Sequence, residues 1–328
     1  MKDSINWALT GTGGITNKFL EGLRATNGRA AAVVSRTREN AEAFTARNGI
    51  EKAFDNFDLM LKDPSIDVVY IGTPHTTHKD FAVRALKARK AVLCEKPAAI
   101  NAGELKEIIQ TARENNVFFM EAMWTRFIPP VRKVREWLSQ NLIGEVQMIQ
   151  ANFGFNAPFD PNHRLFNPDL GGGALLDAGI YPLSFISMVF GGKKPADIQS
   201  RLFFGKSGAD EEDAIILSYG GPRIAHAAAA LTVQLENDAW IYGTLGRIHI
   251  PNFIWSRGAK LLLDGKDEYH FQPEFISNGY NYEAEEVMRC IREGKTESAV
   301  MPWDESLVIM ETMDTIRSQW DFRYPSEI

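Results

Sequence analysis

Three side chains in this sequence supply an amine, a carboxylate and a phenol, the groups needed to move a proton at a substrate oxygen. Lys96 lies in a Glu-Lys-Pro tripeptide that follows the apolar segment 90–94. Asp177 and Tyr181 are four residues apart, so on a helix they share one face. Oxidation of a secondary alcohol removes the O–H proton as hydride leaves carbon. A tyrosine oxygen can accept that proton when a nearby ammonium lowers the pKa of the tyrosine and so favours its phenolate form.

This hypothesis requires the Lys96 amine and the Tyr181 phenol to reach one substrate oxygen. Taken singly, each residue has an ordinary structural explanation. Lys96 could be a solvated strand end, Tyr181 a half-buried aromatic residue, and Asp177 the cap of its helix.

A glycine-rich segment near the N-terminus predicts where a hydride-carrying coenzyme binds. Residues 11–15 read Gly-Thr-Gly-Gly-Ile between a predicted strand, Ile5–Thr10, and a predicted helix, Asn17–Ala25. Glycines let the backbone approach a pyrophosphate, and the helix N-terminus supplies amide donors. Thr16 occupies the third fingerprint position, where Gly or Ala is usual, so the match is partial and a plain tight turn is the alternative.

The end of the second predicted strand indicates which coenzyme is preferred. NAD-preferring sites carry an acidic residue there for the ribose hydroxyls. This chain has Ser35, Arg36 and Arg38 in that turn, and the first carboxylate is Glu39. Hydroxyl and guanidinium groups suit a 2′-phosphate, so we predict NADP, with NAD possible. The alternative is a solvated basic turn.

The first part of the chain alternates short apolar runs with helical patterns, which is typical of βαβ units. The predicted strands are Ile5–Thr10, Ala30–Ser35, Val68–Gly72, Ala91–Cys94 and Phe118–Glu121. The predicted helices are Asn17–Ala25, Arg38–Asn48, Thr76–Ala88 and Ala102–Asn115, the last with a capping-box arrangement of Asn101 and Glu104. We therefore predict a Rossmann-type parallel sheet in a first domain, 1–125.

Strands dominate the rest of the chain, which we predict to be a second domain, 126–328, of α+β class. A long strand at Glu145–Phe155 and several strands within Asp213–Phe271 indicate a large open, mainly antiparallel sheet. Helices are predicted at Gly173–Phe190, Tyr282–Glu293 and Asp304–Gln319, although Pro182 fits poorly inside the first of these. Small residues in Ala225–Ala230 allow close approach by another surface, so we expect a homodimer or higher assembly through this sheet.

Composition excludes several classes of protein. The 328 residues include 36 basic and 42 acidic side chains, a net charge of −6 that argues against nucleic acid or an anionic membrane as the main partner. The two cysteines have no metal-ligand spacing, and no N-terminal secretory pattern is apparent, so we expect a cytoplasmic protein. The most apolar stretch, Ala174–Phe190, contains Asp177 and Pro182 and is too short to span a bilayer.

Four motifs carry a resemblance to a known family. Thr-Pro-His-Thr-Thr-His at 73–78 and Glu-Lys-Pro at 95–97 each follow a predicted strand, and Glu-Ala-Met-Trp-Thr-Arg-Phe at 121–127 and Gly-Gly-Gly-Ala-Leu-Leu-Asp-Ala-Gly-Ile-Tyr at 171–181 come later. With the opening glycine segment they resemble the Gfo/Idh/MocA family of nicotinamide-dependent oxidoreductases. Within it they look like the branch of dimeric dihydrodiol dehydrogenase and NADP-dependent xylose 1-dehydrogenase. The chain departs from many members at His75, where Asn is common, and at Tyr181, where His is common.

The resemblance and the residues together define a predicted site in which Lys96, Asp177 and Tyr181 are catalytic. The coenzyme is predicted to contact Gly11, Thr12, Gly13, Gly14, Ile15, Ser35, Arg36, Arg38, Thr73, Pro74, His75, His78, Glu95, Lys96, Trp124, Arg126 and Arg164. The substrate is predicted to contact Lys96, Trp124, Phe153, Phe155, Asp177, Tyr181, Trp255 and Phe275. The aromatic residues among them suit a sugar ring or an arene diol, although each taken singly is more often a core residue than a pocket residue. No histidine spacing suggests a metal site.

Three functions fit this sequence. The first is an NADP-dependent dehydrogenase or reductase acting on a secondary alcohol or hemiacetal carbon of a sugar, cyclic polyol or trans-dihydrodiol. The second is a keto-sugar reductase of the anhydrofructose type with the same fold. The third is a non-catalytic NADP-sensing regulatory protein, which has no need of the acid/base groups at Lys96 and Tyr181.

Overall fold

The computed structural model describes residues 4–328, which group into two units. The first unit contains the chain up to Trp124 together with Ile276–Trp303, and the second contains Thr125–Phe275 together with Asp304–Ile328. The sequence prediction divided the chain once, near residue 125. In the structure, Ile276–Trp303 groups with the first unit.

The first unit is built on six strands and five helices from the N-terminal part of the chain. The strands are β1 (Asn6–Thr10), β2 (Arg29–Val34), β3 (Lys52–Phe54), β4 (Val68–Ile71), β5 (Ala91–Glu95) and β6 (Phe119–Ala122). The helices are α1 (Gly14–Arg24), α2 (Arg38–Asn48), α3 (Phe57–Leu61), α4 (His78–Lys87) and α5 (Ala102–Asn115). A 3₁₀ turn, His75–Thr77, leads into α4. The sequence prediction missed β3 and α3 because segments of three and five residues carry too little periodicity to stand out.

All strand pairs in this sheet are parallel, in the order β3-β2-β1-β4-β5-β6. This confirms the predicted Rossmann-type sheet. Every residue of β4 and β5 is buried, as expected for strands covered by helices on both faces. Because the strands are parallel, the segments that follow them all start at one edge, and the order reverses between β1 and β4, where open α/β sheets bind ligands.

The second unit is built on eight strands and two helices in residues 125–275. Helix α6 (Pro129–Ser139) precedes β7 (Val146–Gly154), and helix α7 is Ile180–Val189. The remaining strands are β8 (Asp197–Phe204), β9 (Asp210–Ser218), β10 (Ile224–Ala230), β11 (Ala239–Gly243), β12 (Gly246–Ile250), β13 (Ala259–Leu263) and β14 (Tyr269–Phe271). Short 3₁₀ turns occur at Trp124–Arg126, Pro168–Leu170 and Pro325–Glu327.

These strands form one sheet in the order β14-β13-β12-β11-β7-β10-β9-β8. Only the β7–β10 pair is parallel, so the predicted mainly antiparallel sheet is confirmed. Burial alternates along β9 and along the first part of β10, as in a sheet with one face packed and the other open. The small side chains of β10 lie in a central strand, where Ala229 approaches Gly179 on the packed face.

The helix before β8 changes type along its length, which explains how it contains a proline. Leu175–Gly179 is a π-helix, and it continues directly into α7. Pro182 is the third residue of α7. Because the π turn ends just before it, an uninterrupted α-helical ladder does not run through the proline, which has no N–H to contribute.

The last part of the chain supplies helices α8 (Tyr280–Arg292) and α9 (Trp303–Ser318). Helix α8 belongs to the first unit because it packs on α1: a Cβ added at Gly22 would lie 2.7 Å from the Asn281 nitrogen and from the Tyr280 Cβ. The following segment lies beside β6, since the Phe119 amide donates to the Thr296 carbonyl at 3.0 Å. Local periodicity cannot report such long-range packing, which is why the sequence placed this segment in the second domain.

Candidate functional site

The glycine segment makes its predicted tight turn at the carboxyl end of β1. Gly11 has φ +81°, and a Cβ there would lie 3.1 Å from the Gly72 carbonyl oxygen. Its amide donates to the Val34 carbonyl at 2.9 Å. The turn is therefore fixed against the ends of both β2 and β4, and only glycine fits this backbone without strain.

Thr16 shows how the chain accommodates its departure from the nucleotide fingerprint. Its side chain is buried, and its hydroxyl donates to the Thr10 carbonyl at 3.5 Å. A Cβ at Gly72 would lie 2.9 Å from the Thr16 hydroxyl oxygen. The close helix–strand contact that a third glycine usually permits is thus obtained from Gly72 on the neighbouring strand end.

The N-terminus of α1 has the features that a pyrophosphate requires. Its N-cap, Gly13, provides no side-chain hydrogen bond to the first turn, and the first turn contains no acidic residue. A Cβ at Gly13 or Gly14 would meet no protein atom within 4 Å. Uncapped amides, a favourable helix dipole and open space beside the backbone fit an anionic coenzyme.

The turn after β2 exposes two guanidinium groups with different surroundings. Arg38 donates to the Ala53 carbonyl at 2.9 Å and pairs with Glu42 at 2.7 Å, and the Glu42 carboxylate raises the pKa of Arg38 above its ordinary value. Arg36 is exposed, and within residues 4–328 it forms no ion pair with a carboxylate. Arg36 is therefore the guanidinium better placed to receive a phosphate.

His78 joins two of the motifs that follow strands. Its side chain is fully buried, with Nδ1 2.8 Å from the Pro97 carbonyl and Nε2 2.8 Å from the Thr73 carbonyl. It thereby ties the turn after β4 to the turn after β5. Burial lowers the pKa of His78 below its ordinary value, the Lys96 ammonium acts in the same direction, and the two carbonyls oppose them. His78 is thus a buried residue that links the two turns, a role called a brace below. Its predicted contact with the coenzyme stays a prediction.

The rest of the turn after β4 is held locally. The Thr77 hydroxyl lies 2.8 Å from the Thr73 hydroxyl and from the Pro74 carbonyl. His75 is buried and packs edge-on against His78, with ring centroids 5.7 Å apart. These contacts therefore fix the conformation of the turn formed by Thr73, Pro74 and His75 at the edge of the sheet.

Buried carboxylates on both sides hold the turn that carries Lys96. Glu95 accepts a hydrogen bond from the Tyr70 hydroxyl at 2.6 Å. Glu121, at the end of β6, accepts one from the Ala98 amide at 3.0 Å. With His78 on the Pro97 carbonyl, three strands and one helix fix the backbone on either side of Lys96, which is itself only 9% exposed.

Trp124 lies at the end of the same sheet edge and packs within the first unit. It is 2% exposed and stacks on Tyr280 of α8, with ring centroids 4.9 Å apart and an interplanar angle of 19°. Its predicted contacts with coenzyme and substrate stay predictions. The segment that the sequence assigned to the other domain supplies its partner.

In the second unit, Asp177 forms an ion pair with Arg164. Asp177 is buried in the π-helix, and its Oδ1 accepts a hydrogen bond from Arg164 at 2.7 Å. The Arg164 side chain is 51% exposed. The structure therefore brings together two predicted site residues, and the arginine orients the carboxylate.

Tyr181 lies among three of the predicted substrate-contacting rings. Phe153 is central: its ring centroid is 5.4 Å from Tyr181, 5.5 Å from Phe155 and 5.5 Å from Trp255. Trp255 is 46% exposed, whereas Phe153 is buried. Phe275 is contacted by the Arg257 guanidinium, 3.8 Å above its ring. The aromatic cluster therefore has a buried base and an exposed rim, as a sugar or arene pocket needs.

Arg126 is buried in the second unit and engages helix α7. It is 2% exposed and donates to the Ser184 hydroxyl at 3.0 Å and to the Ser184 carbonyl at 2.7 Å. It also pairs with Glu305 of α9 at 2.8 Å. These bonds hold the helix that follows Tyr181, and the predicted coenzyme contact of Arg126 stays a prediction.

Sequence reasoning missed the residues that hold the predicted ones. Tyr70, Glu121 and Glu305 each bond to a motif residue or to its turn from a distant part of the chain. Two local signals were present: Glu121 begins the motif at 121–127, and Tyr70 is a polar-tipped ring in an otherwise aliphatic strand. In residues 4–328 no group of three or more His, Cys, Asp or Glu side chains is arranged to hold a metal ion.

One described segment, Pro168–Val189, is apolar and long enough to cross a membrane by length and composition alone. However, 94% of its most apolar window is buried inside the protein. It is therefore the core helix of the second unit.

Comparison with known proteins supports the family resemblance over nearly the whole chain. Residues 5–123 match the model of an oxidoreductase family with an NAD-binding Rossmann fold, and residues 131–249 match the GFO/IDH/MocA C-terminal domain. The chain is 40% identical to trans-1,2-dihydrobenzene-1,2-diol dehydrogenase of Xenopus laevis, over 97% of this chain and 99% of that protein.

Two solved structures share the fold at lower identity. The aldose-aldose oxidoreductase of Caulobacter crescentus has a TM-score of 0.87 and 23% identity, covering 98% of each chain. A 3-ketoreductase of Actinomadura kijaniata, in complex with NADP and TDP-benzene, has a TM-score of 0.84 and 22% identity, covering 96% of this chain and 97% of that one.

Replacing the buried histidine tests the brace between the two turns. His78→Gln should lower the free energy of unfolding at pH 8 by about 1–3 kcal/mol, because the buried carbonyl that accepts the single N–H of the neutral ring loses its donor. The pKa of His78 is lowered in the folded protein, so the stability it contributes is complete above about pH 6.5 and declines as pH falls and the unfolded chain takes up a proton. The difference between wild type and variant should therefore narrow from pH 8 to pH 5.

The measurement is urea unfolding of the coenzyme-free protein at several pH values, followed by tryptophan fluorescence. His163→Gln, at an exposed position, is the control and should change the midpoint little at pH 8. A gap between wild type and His78→Gln that widens toward acid pH would mean that the imidazolium, favoured by the two carbonyl acceptors, is the folded form.

Proposed function

The chain belongs to the Gfo/Idh/MocA family of oxidoreductases, and we propose that it is an NADP-dependent enzyme acting on a sugar, cyclic polyol or trans-dihydrodiol. Hydride is transferred between the nicotinamide and a secondary alcohol or hemiacetal carbon. The observation that carries the proposal is Tyr181, whose ring packs on Phe153 in a cluster with an exposed rim at Trp255. An aromatic cluster around a potential acid/base group suits a ring-shaped polyhydroxy substrate.

Lys96 and Tyr181 are the proposed acid/base pair. When bound, the nicotinamide accepts or supplies the hydride. Tyr181 as the phenolate takes the hydroxyl proton during oxidation, and as the phenol it returns that proton during reduction, while the Lys96 ammonium donates a hydrogen bond to the substrate oxygen. Asp177, oriented by Arg164 at 2.7 Å, accepts a hydrogen bond from a neighbouring substrate hydroxyl. No metal is required for this proton chemistry.

NADP is the proposed coenzyme because of the turn after β2. Ser35 and Arg36 directly follow that strand, the first carboxylate in the sequence after them is Glu39, and Arg36 is exposed. A guanidinium there pairs with a 2′-phosphate, whereas it gives no advantage to an unphosphorylated ribose. The 3-ketoreductase with the same fold has NADP bound, which is consistent with this choice.

A keto-sugar reductase is the second candidate, favoured by the fold shared with the 3-ketoreductase. The trans-dihydrodiol reading is favoured by the 40% identical relative and by the aromatic character of the cluster. A non-catalytic NADP sensor is the third candidate, and a measurement of turnover distinguishes it from the two enzymes.

Both cysteines are free and buried, which supports the cytoplasm as the compartment.

We further propose a homodimer formed through the open face of the second sheet. This face exposes apolar side chains on three neighbouring strands: Met148 is 43% exposed, Ile224 40% and Ile216 50%. Beside them Trp240 stacks on His249 and Tyr242, with ring centroids 3.9 and 5.8 Å away. A contiguous apolar and aromatic sheet face is the kind of surface that a second copy covers.

Substitution of the proposed acid/base groups tests catalysis. Tyr181→Phe and Lys96→Met should each lower kcat by about a hundredfold or more, the scale of a lost acid/base group, while Tyr181→Phe leaves NADP binding nearly unchanged. Absorbance at 340 nm reports turnover on a panel of aldoses, cyclic polyols, trans-dihydrodiols and keto sugars with each coenzyme. Coenzyme binding is followed separately by fluorescence titration.

Tyr269→Phe, at an exposed tyrosine of β14, is the control and should retain wild-type kcat. Full turnover by Tyr181→Phe would assign the proton to another group. Tight NADP binding by the wild type without turnover on any member of the panel would favour the sensor.

Coenzyme preference depends on Arg36 in this proposal. Arg36→Asp should raise the Kd for NADP about 10–100-fold more than the Kd for NAD, since a charge-assisted bond to phosphate contributes about 1.5–3 kcal/mol. Arg47→Asp makes the same charge change at an exposed site on α2 and should leave the ratio of the two constants unaltered. An equal loss of both affinities in Arg36→Asp would rule out the 2′-phosphate contact.

The dimer proposal is tested by placing a charge on the open sheet face. Trp240→Glu should shift the wild-type dimer toward monomer, because burial of an unpaired carboxylate is unfavourable. Sedimentation equilibrium gives the dissociation constant. Leu59→Glu, at an apolar side chain of α3 that is 54% exposed, is the matched control and should remain dimeric. A monomeric wild type, or an unchanged constant in Trp240→Glu, would exclude this interface.

A further inference from the structure

A buried carboxylate outside the predicted site holds the start of the helix that carries Asp177 and Tyr181. Asp210, at the first position of β9, is 1% exposed. Its Oδ2 accepts a hydrogen bond from the Leu175 amide at 2.6 Å. Leu175 is the first residue of the π-helix, two residues before Asp177.

Gly173 is what lets this carboxyl group reach the helix. It has φ +134°, and a Cβ there would lie 2.1 Å from the Asp210 Oδ1 and 2.9 Å from its carboxyl carbon. Any side chain at this position would displace the carboxyl group from Leu175. The glycine run before the helix therefore has a packing function in addition to making a turn.

Asp213, three positions further along the same strand, is a second buried carboxyl group. Burial raises the pKa of Asp213 well above its ordinary value, and the charge of Asp210 adds to this. Burial also raises the pKa of Asp210, while the amides of Leu175 and of Asp210 itself oppose it. Repulsion between the two buried charges favours a proton on Asp213, which leaves Asp210 as the acceptor for the Leu175 amide.

The other end of the same helix is held by a separate buried group. Arg126 donates to the hydroxyl and the carbonyl of Ser184, and Glu305 accepts from the Ser187 hydroxyl at 2.9 Å. Asp177 and Tyr181 lie between these two attachments. Their positions are therefore set at one end by Asp210 and at the other by Arg126 and Glu305.

We propose that Asp210 is a positioning residue that fixes the first turn of the Asp177–Tyr181 helix through its hydrogen bond to the Leu175 amide. The inference rests on the proposed function for its kinetic consequence. Catalysis is sensitive to small displacements of a proton-transfer group, and about 1 Å of misplacement costs on the order of a hundredfold in rate. An amide hydrogen bond at the start of the helix therefore acts on kcat without touching the substrate.

The experiment compares Asp210→Ala with Asp210→Asn at saturating coenzyme and substrate. Asp210→Ala loses the acceptor and should lower kcat about 10–100-fold, with the Kd for NADP unchanged. Asp210→Asn keeps a carbonyl oxygen for Leu175 and should stay within about threefold of wild type. Asp213→Asn, the same change at a buried carboxyl group of β9 whose oxygens make no hydrogen bond to the helix, is the matched control and should also stay within that range.

Hydrogen–deuterium exchange provides a readout that needs no turnover. Peptides covering 174–181 should exchange faster in Asp210→Ala than in wild type and Asp210→Asn, while peptides covering α5 should not change. If Asp210→Ala does not fold, Asp210→Ser, whose hydroxyl is shorter by one atom, replaces it, and the same order of kcat and exchange is expected.

Three results would overturn the inference. Wild-type kcat in Asp210→Ala despite faster exchange would show that the bond does not position the reacting groups. Equal loss of kcat in Asp210→Ala and Asp210→Asn, with equal loss of thermal stability, would show a general structural role. If the wild type turns over no sugar or diol, the proposed function fails, whereas unchanged exchange in Asp210→Ala is a failure of the inference alone.

Discussion

One buried imidazole between two backbone carbonyls organises the sheet edge on which the rest of the first unit's site is built. The ring of His78 lies 2.8 Å from the carbonyls of Thr73 and Pro97, which belong to turns after adjacent strands. Parallel strands place their following turns at one edge, but they do not fix how those turns sit against one another. Glu95 and Glu121 complete the restraint through Tyr70 and the Ala98 amide. The backbone around Lys96 is therefore set by buried side chains from β4, β6 and α4 before any ligand binds.

In the second unit, too, buried polar side chains form hydrogen bonds to the backbone near the proposed acid/base residues. Asp210 and Arg126 are each almost fully buried, and each makes a hydrogen bond to the backbone of the helix that carries Asp177 and Tyr181. Buried charges of this kind are retained only where their hydrogen bonds are made, since an unpaired one is costly. Exposed groups, by contrast, are the ones free to meet ligands: Arg36 after β2 and Trp255 at the rim of the aromatic cluster. The buried polar residues therefore position the backbone of the proposed site, and the exposed residues are the ones proposed to contact ligands.

Membership of the oxidoreductase family and the nearly full-length similarity to a dihydrodiol dehydrogenase give the reaction class. They do not choose the substrate, because the structures that share the fold act on different compounds at 22–23% identity. Such choices depend on a few hydroxyl partners in a pocket, since a site built to hydrogen-bond a hydroxyl discriminates far more strongly than an apolar wall does. In the function proposed above, the Asp177–Arg164 pair and the Phe153 ring that packs on Tyr181 make that discrimination.

The sequence by itself determined the parallel sheet and the strand-rich second domain, because periodicity of apolar residues reports local structure directly. It also identified Gly11, whose positive φ is a local backbone requirement that only glycine meets without strain. Tertiary structure decided the rest. Helix α8 packs on α1 from more than 250 residues away, His78 braces two turns, and Asp210 reaches Leu175 across 35 positions. These contacts join residues distant in sequence, and no local pattern encodes which buried polar group will find which partner.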